Sequence, residues 1–124
     1  MKPAPADSAL PNYAHAFDLL ATLVAVVRTD GVVVFANAAL EDVMGVSRRN
    51  IEGSALASYF TEMQSFESAL QGAQTNAFAT MRYDAHLRRP LQDPLPVHVI
   101  VAPTEVTGEV LVELLPLEQQ TRQD

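Results

Sequence analysis

The chain has 124 residues, 48% of them hydrophobic and 19% charged, which suits one globular domain with a buried core of its own. A net charge of −7 and a pI near 4.8 repel phosphate backbones and anionic headgroups, and no basic cluster exceeds the pairs Arg48-Arg49 and Arg88-Arg89, which argues against nucleic-acid binding. The absence of cysteine removes disulfides, thiolate metal sites, thiol nucleophiles and cysteine adducts.

Residues 1–11 carry Pro3, Pro5 and Pro11 with little apolar bulk and read as a disordered tail. Lys2 is followed by Pro3-Ala4-Pro5-Ala6-Asp7 rather than by the apolar core of a secretory signal, and runs such as residues 23–27 fall far short of the roughly 20 residues that cross a bilayer. A cytoplasmic protein with no membrane span is expected. From Asn12 a short helix is predicted, with Tyr13, Phe17 and Leu20 forming one apolar stripe.

Two apolar strands, 23–27 and 32–35, flank Asp30-Gly31, the pair suited to a two-residue turn with positive φ, so a β-hairpin is predicted there. Turn geometry alone accounts for Asp30 and Gly31. Asn37 follows the second strand and precedes the helical pattern Leu40, Val43, Met44, where its amide oxygen can cap the first turn; Gly45 ends that helix. Ser47 to Gly53 reads as one helical turn, and residues 55–60 as another. Thr61 with Gln64 forms a capping-box pattern before a longer helix with Met63, Phe66, Leu70 and Ala73 on one face, ending near Gly72.

Period-two alternation from Asn76 to Leu87 predicts a half-buried strand, which the segment 89–94 with its two prolines should break. Strands 96–102 and 109–115 around Gly108 form a second hairpin, with Glu109, Leu111, Glu113 and Leu115 on one mixed face of the last strand. The polar residues 117–124 read as the first turns of a linker helix.

Strands interrupted by a run of helices imply an α+β fold, an antiparallel sheet with helices on one face. With the turn Asp30-Gly31, the step Phe35-Ala36-Asn37-Ala38 and the turn Ile51-Glu52-Gly53 in this order, the chain resembles a PAS domain over about residues 13–115. The resemblance implies a PAS fold over residues 12–116: a five-stranded antiparallel sheet, short helices on one face and an N-terminal flanking helix. Asp30, Gly31, Asn37 and Gly53 then have structural roles.

Within that family, the opening Phe17-Asp18-Leu19-Leu20-Ala21-Thr22-Leu23 and the exit Leu111-Val112-Glu113-Leu114-Leu115-Pro116-Leu117-Glu118 are similar to the N-terminal sensor domains of nitrogen-regulation histidine kinases of the NtrB (NRII) type. This implies a regulatory homodimer, with the Tyr13, Phe17, Leu20 stripe and the last strand as pairing surfaces. It also implies a kinase module after residue 117, a PII signalling protein as partner, and phosphorelay to an NtrC-type response regulator of transcription. No histidine here lies in a His-Glu-x-x-x-Pro box and no ATP lid follows, so this fragment is expected to have no catalysis of its own.

His15, His86 and His98 fall on three separate elements without ligand spacing, so no metal or haem is expected. His86 and His98 belong to the polar sides of neighbouring strands. Met44, Tyr59, Met63 and Phe66 are the candidates for lining a pocket between helices and sheet, but no convergent polar set accompanies them, and core filling explains them more simply. No cofactor is assigned. The alternative reading is a PAS sensor holding a small metabolite or non-covalent flavin in its cavity.

Overall fold

The computed structural model describes residues 16–75, 80–104, 106 and 108–117. Residues 16–18 are helical, and the chain continues through β1 (Leu23–Arg28), β2 (Val33–Ala36), α1 (Ala38–Met44), α2 (Arg48–Ile51), a 3₁₀ turn (Leu56–Tyr59), α3 (Met63–Thr75), β3 (Met81–Arg89), β4 (Gln92–Pro103) and β5 (Glu109–Pro116). The five strands form one antiparallel sheet in the order β2-β1-β5-β4-β3. The fold is the expected α+β arrangement. Tyr13, His15, the tail 1–11 and the linker residues from 118 onward lie outside the described residues.

The first hairpin turns differently from its two-residue reading. Gly31 N–H bonds the Arg28 carbonyl at 2.8 Å and Arg28 N–H bonds the Val32 carbonyl at 2.9 Å, so Thr29, Asp30 and Gly31 form a three-residue loop. Only Gly31 takes positive φ, at 90°, the left-handed position that ends such loops. The Asp30 carboxylate steadies the loop by accepting from Val32 N–H at 3.1 Å and pairing with Arg28 at 2.6 Å.

The stretch from Arg89 to Pro94 is not a break. Leu91, at φ 60°, completes a tight turn after Pro90, and β4 starts at Gln92. The Pro96 carbonyl accepts Leu117 N–H at 2.9 Å, so its missing donor faces β5 at the last rung of that ladder. Pro94 lies two residues further out, past the end of β5, where no donor is needed. β3 keeps the predicted alternation and runs on to Arg89, while residues 76–79 are not described.

Helix α3 passes through Gly72 to Thr75. Gly72 marks a close approach rather than a stop: a Cβ there would lie 3.1 Å from Met81 Cε. The helix begins at Met63, so Glu62 stands in the cap position instead of Thr61, whose N–H bonds the His86 carbonyl at 2.9 Å.

The core lies between one sheet face and the helices. Leu23, Ala25, Val27, Val97, Val99, Val101, Val112 and Leu114 meet Leu40, Met44, Ile51, Leu56, Phe60, Phe66 and Leu70. Both sheet edges are partly covered. Along β2, Val33 and Gly53 N–H groups bond the Ser54 and Val33 carbonyls at 2.9 and 2.8 Å, and Ala36 N–H reaches Glu52 Oε2 at 3.1 Å. Along β3, the segment 60–62 closes the edge at His86 and Leu87.

Candidate functional site

Asn37 joins three elements. Its Oδ1 accepts from Val24 and Leu40 N–H, both at 3.0 Å, and its Nδ2 donates to the Phe17 and Thr22 carbonyls at 3.0 and 2.9 Å. Two lone pairs and two protons are thereby all used, a set that neither Asp nor Ser can supply. It is the one fully buried polar side chain among the described residues. Besides capping α1, it fastens the segment before β1 to the sheet.

Asp18 adds a second fastening. Its carboxylate accepts from Ala38 N–H at 2.8 Å and from the Arg48 guanidinium at 3.0 and 3.2 Å. Arg48 also sits 5.7 Å from the centre of the Phe35 ring, which lies 6.2 Å from the Phe17 ring between centroids. Of the two stripe residues among the described ones, Phe17 is placed against the body of the domain and Leu20 is exposed.

The four pocket candidates do not surround one space. Met44 and Phe66 are buried in the core, and the Phe66 and Phe60 rings stack at 5.2 Å. Met63, at the first residue of α3, precedes the buried stripe Phe66, Ala69, Leu70, Ala73 and is 43% exposed. Tyr59 is half-buried, bonded to Ser54 Oγ at 3.3 Å, and borders a shallow surface cleft of about 310 Å³ with Val46, Ser58 and Arg88. Side chains fill the interior between helices and sheet.

His86 and His98 project from the solvent-facing side of the sheet, each beside a carboxylate. Glu62 accepts from the His86 main-chain N–H at 2.8 Å and contacts its Nδ1 at 2.6 Å; Asp84 contacts His98 Nδ1 at 2.8 Å. Burial raises the Glu62 pKa, but the bonds from the His86 side chain and backbone outweigh it and hold the carboxyl below its usual value. No group of three metal-ligating side chains converges among the described residues.

The outer sheet face is half apolar. Leu111 and Leu115 alternate with Glu109 and Glu113 along β5, all half-buried, while Ile100 lies opposite Glu113 and His98 opposite Leu115. Val24, Val26 and Phe35 share this face and are buried. A larger surface cleft, of about 470 Å³, lies between α3 and the start of β3; Ala69, Met81 and Tyr83 form its apolar side and Gln64, Ser65, Ser68 and Arg82 its polar side. Sequence periodicity missed this cleft because its walls come from elements whose exposed faces meet only in the fold.

A hairpin joined through helices to a three-stranded meander, with side chains packed between sheet and helices and polar groups spent on fastening segments together, defines a small α+β module. The chain belongs to the PAS-fold family, whose model matches residues 17–99. By structure it is similar to the PAS domain of an HTR-like protein from Haloarcula marismortui, at TM-score 0.75 and 12% identity over 90% of this chain and 94% of that one. It is similar to a domain of a sensory box sensor histidine kinase/response regulator from Geobacter sulfurreducens, at TM-score 0.71 and 15% identity, covering 86% and 93%. It is also similar to the PAS domain of nitrogen regulation protein NR(II) from Vibrio parahaemolyticus, at TM-score 0.67 and 16% identity, covering 85% and 97%. No curated protein sequence matches the chain. PAS domains are non-catalytic sensory modules found, among other places, in histidine kinases. No helix among the described residues is long and apolar enough to cross a membrane.

Proposed function

We propose that this chain is the regulatory sensor and dimerisation domain of a cytoplasmic two-component histidine kinase of the nitrogen-regulation type. The observation that carries the reading is the outer sheet face, where Ile100, Leu111 and Leu115 stay half exposed beside the fastened segment at Phe17. Two copies that cover this face would bring their β5 ends together, and any change in their packing would bias the chains that leave after Pro116. The likeness to the NR(II) and sensory box kinase domains supports the kinase setting, and PII and NtrC-type proteins are the partners that setting calls for. A metabolite or flavin held inside the domain has less support, because Met44, Phe60 and Phe66 would have to move aside.

Native mass spectrometry with an absorbance spectrum tests the reading. A dimer without added mass or visible absorption is expected; a monomer at micromolar concentration, or a retained chromophore, would overturn it. The parent assignment is tested by the coding sequence beyond residue 124, where a His-Glu-x-x-x-Pro helix is expected and a different effector module would sink the kinase setting.

A further inference from the structure

The uncovered part of the outer sheet face is three strands wide. Val24, Val26 and Phe35 on β1 and β2 are buried, which leaves β5, β4 and β3, with β4 in the middle. Rungs of paired residues cross these strands. Ile100, the middle one of the outward residues His98, Ile100 and Ala102 on β4, has Arg82 on one side and Glu113 on the other; the next rung reads Asp84, His98, Leu115. Alternation keeps both rungs on the face opposite Val97, Val99 and Val101, which belong to the core.

The two rungs differ in how their charges are spent. His98 Nδ1 contacts the Asp84 carboxylate at 2.8 Å. Arg82 and Glu113 have neither a hydrogen bond nor an ion pair among the described residues, and with Ile100 between them they stand two strand spacings, about 10 Å, apart. Other cations on the strands are occupied, Arg28 by Asp30 and Arg89 by the Asp93 carbonyl. Glu113 lies between Leu111 and Leu115 on the same face, so a second copy that covers these leucines also buries the carboxylate. A carboxylate buried without a cation opposes the association that the leucines drive.

We propose that the second copy supplies that cation: Arg82 of each copy pairs with Glu113 of the other, across a two-fold axis that runs along β4 over Ile100. This rests on the dimer reading above and adds the residues that set its orientation. Rotation about such an axis exchanges the two sides of a rung, so β3 faces β5 of the partner copy, the two Ile100 side chains meet at the centre, and the Arg82–Glu113 pair is made twice. The other face-to-face two-fold, with its axis across the strands, sets Arg82 against Arg82 and Glu113 against Glu113, and like charges disfavour it. The axis along β4 also keeps the two β5 strands pointing the same way, so both chains leave Pro116 at one end of the dimer.

Dimer dissociation constants from sedimentation equilibrium test the pairing. Arg82→Glu and Glu113→Arg should each weaken the dimer roughly tenfold, the double variant should recover to within about threefold of the parent, and a mixture of the two single variants should form a heterodimer tighter than either homodimer. Glu113→Arg discriminates best, because it reduces the net charge of −7 and general repulsion alone would then tighten the dimer. Far-ultraviolet circular dichroism checks the fold of each variant; Arg82→Glu, at an exposed position, carries the test alone if the Glu113 variant does not fold. A Glu113→Arg dimer as tight as the parent's, an indifferent Arg82→Glu, or a double variant no tighter than the singles would each overturn the pairing and leave the dimer reading intact. A monomeric parent chain would overturn both.

Discussion

Asn37 concentrates more stabilisation than any other polar side chain described. Asn37→Ala leaves Val24 N–H and the Phe17 and Thr22 carbonyls without partners in a dry junction, and should lower unfolding stability by about 3 kcal/mol in urea titrations. Asn37→Asp keeps the cap on Leu40 but sets a carboxylate against two carbonyls, so it should rescue little of that loss. The cap was legible from the place of Asn37 between a strand and a helical pattern. Its hold on Phe17 and Thr22 was not, because those partners lie 20 and 15 residues away and meet it only once the sheet forms. Glu62 gives the pH dependence at this scale. Its folded pKa lies below the ordinary 4.5, so its contribution is complete above that value and is lost as pH falls through the lower folded one. In Glu62→Gln the decline of urea midpoint below about pH 4.5 should be shallower than in the parent chain; parallel curves would rule out this pair as a source of acid sensitivity.

At the scale of elements, strands and helices were readable wherever apolar periodicity was long. The boundaries that shifted did so for reasons local sequence does not carry. Pro94, read as part of a break, was admitted to β4 because β5 ends before it needs that donor, and Gly72, read as a stop, lies where the Met81 side chain comes close to α3. Among the pocket candidates, Met63 shares the helical phase of Phe66 but precedes the buried stripe, so its exposure is set by where the helix begins. Leu91 is fully exposed at φ 60°, a conformation that suits glycine. Leu91→Gly should therefore stabilise the domain by about 1 kcal/mol, measured by chemical unfolding; a destabilised variant would show that the turn is not strained. Gly53, at φ 93° with open space around its α-carbon, is the reverse case, and Gly53→Ala should cost about 1 kcal/mol through backbone strain alone.

For the whole molecule, the outer sheet face predicts association. If two copies cover Leu111 and Leu115, the melting temperature rises with protein concentration, because only the folded state pairs. Leu111→Glu should abolish that dependence while the far-ultraviolet circular dichroism stays unchanged; persistence of the dependence would move the interface elsewhere.

The covered edges bear on what kind of assembly is open to such a molecule. With β2 partly covered by residues 52–54 and the far half of β3 by residues 60–62, the backbone left open on β3 among the described residues, at Arg82 and Asp84, is a short, charged stretch that templates another strand poorly. Edge-to-edge joining of sheets from different copies into filaments is thereby disfavoured. Crowded copies are left with face-to-face contact, which saturates at a fixed stoichiometry, so a signalling protein that gathers many of these domains in one place can raise their local concentration without setting off polymer growth.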